Sequence, residues 1–213
     1  RSTLFPYTTL FRSKGLQDHR PHWEEKSLEP DRQFEVTLPP NKVSPLRVIA
    51  LWLIPRDAPL RPISTHEEKV ASELPPLRSN QFRHSRGYAR HHLSELFQIA
   101  PLEIPLTASP GQPPELPNGW GHLSFSYCSD YFLVGWSYLR LGIDLERSDR
   151  SFKAAQLARR HFLKLEMETI ASLKEEELRS KVLDIWLAKE AAIKWQHGSI
   201  AADLPNWYYD IDS

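Results

Sequence analysis

The residue pattern predicts an α+β (α/β) protein in which strands pack under long helices, and three observations predict it. An apolar, β-branched run, RVIALWLI from Arg47 to Ile54, reads as a buried strand. Three short β-like stretches crowd between His122 and Glu146. Helical periodicity then carries most of the chain after Ser151.

Taken in order, Pro55, Pro59 and Pro62 end the first strand. In THEEKVASEL, Thr65 with Glu68 three residues later predicts a capped short helix that stops before Pro75. A second helix is expected from about Asn80 to Gln98. Six prolines between Pro101 and Pro117 exclude helix or central strand and predict a stiff surface loop on the first lobe. HLSFSY from His122, YFLVGWS from Tyr131 and LRLGIDLE from Leu139 are separated by gaps short enough for antiparallel hairpins, with Ser129 and Asp130 at the first turn. Two helices follow, from about Ser151 to Leu173 and from about Glu176 to Gln196. NWYYDID reads as the beginning of a further strand, so a C-terminally truncated second lobe is expected.

Composition narrows the function classes. The 213 residues suffice for one large domain or two lobes of about 100 residues each. A single cysteine, Cys128, excludes an internal disulfide and a cysteine-rich metal site and fits a reducing, cytoplasmic setting. The apolar run Val48–Ile54 falls far short of the roughly 18 residues a membrane span needs. Lys plus Arg equals Asp plus Glu at 27 each, so no global positive field argues for nucleic acid, and any polyanion site must be local. The first methionine is Met167, and RSTLFPYTTLFRS, residues 1–13, is similar to the translation of a sequencing adapter, so it is set aside as an artefact. Residues 14–44 are a polar, Pro-containing leader with no assignment; 45–120 and 121–213 are expected to be the two lobes.

Chemistry gathers in two segments. In LRLGIDLE, strand alternation puts Leu141, Ile143 and Leu145 on one face and Gly142, Asp144 and Glu146 on the other. Two carboxylates sharing a face repel, and a divalent cation relieves them; hard oxygen ligands favour Mg²⁺ or Mn²⁺ over zinc. The alternative is two acids facing water on an edge strand. In KVLDIWLAKEAAIKW, helical spacing plants Glu190 in the apolar stripe between Leu183, Leu187 and Ile193, with Lys194 at its border. A lone buried carboxylate is costly unless paired or metal-bound, so Glu190 is either a third ligand or half of an i, i+4 pair with Lys194. Arg83, Arg86 and Arg90 form a basic helix stripe, fit for phosphate or for simple solvation. His84, His91 and His92 show no clean metal spacing, and adjacency should point the last two rings apart, so they are unassigned.

Taken in order, Arg86 and Arg90, LSFSYCSD, LGIDLE, RHFLKLE and WLAKEAAIK resemble the 4′-phosphopantetheinyl transferase superfamily, in its single-chain, surfactin-synthetase-activating (Sfp-like) class, over roughly residues 47–213. The resemblance implies two pseudo-symmetric lobes with coenzyme A in the cleft between them. It implies transfer of the 4′-phosphopantetheine arm of coenzyme A to a serine of an acyl or peptidyl carrier protein, by a monomer. Asp144, Glu146 and Glu190 would coordinate Mg²⁺ (or Mn²⁺), Glu190 and Lys194 would act in catalysis, and Lys194 would also contact the phosphates. Arg86 and Arg90 would lie near the nucleotide 3′-phosphate. Two positions depart from the family pattern: Ser126, Tyr127 and Cys128 stand where Ser-His-Ser is usual, and Gln112 stands where a lysine is common. Each removes a positive charge beside coenzyme A. A degenerate homologue that binds coenzyme A or a carrier protein without transfer is therefore the alternative.

Overall fold

A computed structural model of the chain describes residues 6–12, 22–27, 48–107 and 113–209. Its elements in order are β1 (Pro6–Arg12), β2 (His22–Ser27), β3 (Ile49–Pro55), α1 (Thr65–Glu73), α2 (Pro76–Phe97), β4 (His122–Tyr127), β5 (Tyr131–Ser137), β6 (Leu141–Arg147), α3 (Ala154–His161), α4 (Lys164–Ile170), α5 (Glu175–Gln196) and α6 (Ile200–Asp203). Short 3-10 turns occupy Pro101–Glu103 and Leu204–Asn206. Helix and sheet are mixed as the sequence predicts. The chain divides into two compact units, Gln33–Leu139 and Arg1–Arg32 with Arg140–Ser213. The division falls after Leu139, whereas the sequence places it at 120/121, because β4 and β5 pair with β3.

In the unit Gln33–Leu139 the sheet order is β3-β5-β4, all antiparallel. The central strand β5 is apolar on both faces, and Phe132, Leu133, Val134 and Trp136 are buried. Helix α2 covers the sheet through Tyr88, Ala89 and Leu93. It starts with Pro76 at its first turn, where the missing N–H costs nothing, and ends at Gln98 in the left-handed conformation. Its expected start at Asn80 is therefore four residues late. Gly87 lets the loop before α1 approach, since a Cβ there would lie 2.5 Å from the Arg61 carbonyl oxygen.

Helix α1 is capped by Ser64 and Glu67, one residue earlier than the expected Thr65 and Glu68. The Ser64 N–H donates to Glu67 Oε2 at 2.8 Å, and the Glu67 N–H donates to Ser64 Oγ at 3.2 Å. The register is set by a distant partner: Glu67 Oε2 also accepts from Arg90 Nε at 2.7 Å, and both side chains are buried.

In the other unit the sheet order is β2-β1-β6. The expected hairpin of β5 with the strand after it does not form; β6 pairs instead with β1, antiparallel, from Arg12 opposite Leu141 to Pro6 opposite Arg147. β1 lies in the stretch that the sequence reading sets aside, and β2 in the unassigned leader. Tyr, Thr, Leu and Phe in PYTTLFR have strong strand preference, and Leu141–Leu145 of β6 are buried throughout. The remaining leader residues, Gln112 and the last four residues of the chain lie outside the described residues. Trp207–Tyr209 form no strand.

The single helix expected over Ser151–Leu173 is two helices. Phe162 is extended, and Glu166 caps α4 by accepting from the Leu163 N–H at 2.8 Å. Glu166 is buried with Lys189, whose Nζ lies 2.6 Å from Glu166 Oε2 and over the Phe162 ring at 5.2 Å. The same glutamate accepts the Tyr209 N–H at 2.9 Å. One buried ion pair thus ties α4, α5 and the segment after α6 together. No helix among the described residues is long and apolar enough to cross a membrane.

Candidate functional site

The strand β6 and the helix α5 build the site. α5 begins with three acids, Glu175, Glu176 and Glu177, which complement the positive end of the helix dipole. It ends with Lys194 in the last turn and His197 in the left-handed conformation. Between these ends, Val182, Leu183, Ile185, Leu187, Ala188, Ala191 and Ile193 are buried.

Gly142 decides how closely the two elements approach. A Cβ there would lie 1.9 Å from the Ala191 carbonyl oxygen and 2.5 Å from the Trp195 nitrogen. Only a residue without a side chain lets this turn of α5 rest on the strand. Asp144 is two residues along on the same face, so the side chains of the α5 turn that includes residues 190 and 194 are delivered to it.

Lys194 Nζ donates to Asp144 Oδ1 at 2.5 Å. Asp144 is 4% exposed, so this is a buried carboxylate with a partly exposed ammonium. Glu190 is half-buried, and its carboxyl is pushed up to about 8. Burial contributes most, followed by the charge of Asp144 and a hydrogen bond with it, while Lys194 and Arg150 oppose the shift. At neutral pH Glu190 is therefore held mainly in its protonated form, beside Asp144.

Glu146 shares the strand face but is engaged differently. Its Oε1 accepts the Arg147 N–H at 3.0 Å, and its Oε2 pairs with Arg150. Among the described residues, the ligand atoms that all fall within 4.8 Å of one another belong to His91, His92 and Glu95. Of the three acids expected to share one ion, Asp144 and Glu190 interact directly, and Glu146 pairs with Arg150. Arg150 also lines a cavity of about 330 Å³, together with Phe152, Lys153, Arg160, Leu183 and Trp186.

The unit Gln33–Leu139 separates the two arginines that the sequence treats as one stripe. Arg90 is 3% exposed and holds Glu67, the Ile104 oxygen at 2.7 Å, the Pro101 oxygen at 3.3 Å and the Leu106 oxygen at 3.3 Å. These donors are engaged within the fold. Arg86 is 5% exposed, and its Nε and Nη1 have no hydrogen-bond partner among the described residues. Its guanidinium lies over the Phe82 and Phe125 rings, at 5.0 and 5.5 Å. Burial pulls it below its ordinary value, against the pull of Tyr127 and Glu67, yet a guanidinium keeps its charge. Arg83, the third of the stripe, pairs with Glu68 near the surface.

The Tyr127 ring stacks on Phe132 at 4.8 Å, and burial pushes its phenol up, against a hydrogen bond with Ser85 and the charge of Arg86. Ser126 is 2% exposed. A further buried ionic group is Lys189, 1% exposed against Glu166. The signal was present in RHFLKLE, where an acid stands in an otherwise apolar and basic run.

Comparison with known proteins finds two similarities. The family model described as the 4′-phosphopantetheinyl transferase superfamily matches residues 140–211, a stretch that begins at the boundary of the unit containing β6 and α5. A protein of the cyanobacterium Synechocystis sp. (strain ATCC 27184 / PCC 6803 / Kazusa), provisionally named a 4′-phosphopantetheinyl transferase, is 28% identical over 166 residues, covering 72% of this chain and 67% of the relative.

Proposed function

We propose that this chain transfers the 4′-phosphopantetheine group of coenzyme A to a serine hydroxyl of an acyl or peptidyl carrier protein, with Mg²⁺ as its metal. The observation that carries the reading is the buried Asp144 held by Lys194 with Glu190 beside it, inside the segment that matches the transferase family. The donor set suits a hard divalent cation: two carboxyls that cannot both ionise side by side become compatible when a cation replaces the proton. Asp144 and Glu190 would hold the ion; Glu146, on the same strand face, would have to leave Arg150 to join them. An ion held there would supply positive charge to neutralise the pyrophosphate of coenzyme A.

The chain's own groups do the rest. Lys194, partly exposed, carries an ammonium that can donate to a phosphate oxygen while remaining beside Asp144. The carrier serine oxygen forms a bond to the β-phosphorus, and the bond from that phosphorus to the oxygen bridging it to the α-phosphate breaks, releasing adenosine 3′,5′-bisphosphate. The serine proton passes to a general base, a role proposed here for Glu190. Arg86 is the cation with donors to spare for a coenzyme A phosphate, and Ser126 and Tyr127 offer hydroxyls that carry no charge.

Tyr127 favours one other reading: a neutral phenol where the family carries a histidine weakens charge complementarity, leaving a chain that binds coenzyme A or a carrier without transfer. Weighing a small panel of apo carrier proteins after incubation with the chain, coenzyme A and Mg²⁺ separates the two. Gain of one phosphopantetheine arm supports the transferase; an unchanged mass across the panel, with coenzyme A still bound, supports the binding protein.

A further inference from the structure

Helix α2 carries a cluster that the transfer chemistry does not use. His91 and His92 are neighbours in sequence, so helical geometry alone would splay their rings by about 100°. The structure instead brings the ring centres to 5.0 Å, tilted by 48°. Glu95 spans both: His91 Nε2 lies 3.7 Å from Glu95 Oε1, and His92 Nδ1 lies 3.4 Å from Glu95 Oε2.

Aromatic packing fixes this arrangement from below. His92 stacks parallel on Trp52 of β3, 5.0 Å away and within 4° of its plane. Tyr88 meets the edge of His91 at 6.3 Å and is itself anchored by donating its hydroxyl to the Pro59 oxygen at 3.1 Å. The ligand atoms remain reachable from solvent, since the His91, His92 and Glu95 side chains are 28%, 15% and 62% exposed.

We propose that His91, His92 and Glu95 form a binding site for a borderline divalent transition-metal ion of the zinc class. Two imidazole nitrogens and one carboxylate oxygen, all within 4.8 Å of one another, are the donor set such an ion selects, and they are a poor set for Mg²⁺. Zinc–nitrogen bonds of about 2.0–2.1 Å require only a small inward movement of the three side chains. Three protein ligands leave a fourth position for water or another donor. Arg61, whose charge reaches His92, opposes a bound cation, so the site is expected to be weaker than a fully enclosed structural one. Trp52 orients the His92 ring as a supporting partner does in a built metal site.

The test is a Zn²⁺ titration of the full chain against a chromogenic chelator, repeated with Co²⁺ to read the visible bands of a nitrogen-ligated ion. The wild-type chain and a D144N variant should each bind an ion with nitrogen-ligated Co²⁺ bands. H91A and E95Q, at partly exposed positions where folding is readily checked by circular dichroism, should lose that signal. W52A should retain it with affinity lower by about 10- to 100-fold. Wild-type Zn²⁺ affinity and Co²⁺ bands in both H91A and E95Q, or their loss in D144N alone, would overturn the proposal.

Discussion

Lys194 and Asp144, fifty residues apart in sequence, meet at 2.5 Å where α5 crosses β6. The carboxylate is buried and the ammonium a third exposed, so the pair is neither a surface ornament nor a fully dry ion pair. Replacing Lys194 by Met leaves Asp144 buried without its cation. We expect a loss of about 2 kcal/mol, less than for a fully enclosed pair because water reaches the lysine. A urea denaturation series comparing K194M with wild type reads it directly, and an unmoved midpoint would show that Asp144 is neutralised by something else.

Gly142→Ala should be among the more damaging small substitutions in the chain. The added methyl would collide with backbone atoms of α5, which cannot rotate away as a side chain can. A cost of about 3 kcal/mol is expected, from displacement of the helix. The same displacement separates Glu190 and Lys194 from Asp144, so transfer should fall further than stability alone explains when assayed well below the unfolding transition.

Glu190 sets a pH dependence whose sign can be stated. Its folded value, about 8, lies above the ordinary carboxylate range, so the folded chain keeps a proton that the unfolded chain releases. The stabilisation is complete at acidic pH below the unfolded value and is lost as pH rises through about 8. E190Q cannot titrate, so its stability should decline less than wild type between about pH 6 and about pH 9. Mg²⁺ competes with the same proton, so its affinity for wild type should rise over that interval. Parallel stability profiles for the two proteins would remove Glu190 as the source.

Arg86 and Arg90 should behave in opposite ways although they lie one helical turn apart. Arg90→Ala strands the buried Glu67 and three carbonyl oxygens, and about 3–5 kcal/mol of stability should go with it. Arg86→Met removes a buried cation with two unpartnered nitrogens and keeps the stem that packs on Phe82 and Phe125. Its stability should stay within about 1 kcal/mol of wild type. If Arg86 binds a coenzyme A phosphate, KM for coenzyme A should rise by about 10-fold or more in the same variant. A severely destabilised R86M with unchanged KM would reverse the assignment.

The sequence announced the parts of this site that depend on local period. Asp144 and Glu146 share a strand face because alternation allows nothing else, and Glu190 stands out because an acid interrupts an apolar stripe. It did not show that Glu146 turns to Arg150, since a side chain's choice between neighbours depends on loops that periodicity does not describe. Arg86 and Arg90 looked equivalent because spacing places both on one helix face. Only the path of the chain through Pro101, Ile104 and Leu106 separates a structural arginine from one with free donors. The hairpin expected after β5 failed for a similar reason: a short gap permits a hairpin, but β6 finds its partner in β1, from the stretch set aside as an artefact. The burial of Lys189 is not legible in its own helix, because a buried lysine needs a buried acid and Glu166 lies on another helix.

The most direct measurement is the initial rate at which an apo carrier protein gains mass from coenzyme A in saturating Mg²⁺, wild type against E190Q, with folding of both confirmed by circular dichroism. The account predicts that wild type transfers the arm and that E190Q is slower by about 10²–10³-fold with its fold intact. E190Q transferring at the wild-type rate would contradict it.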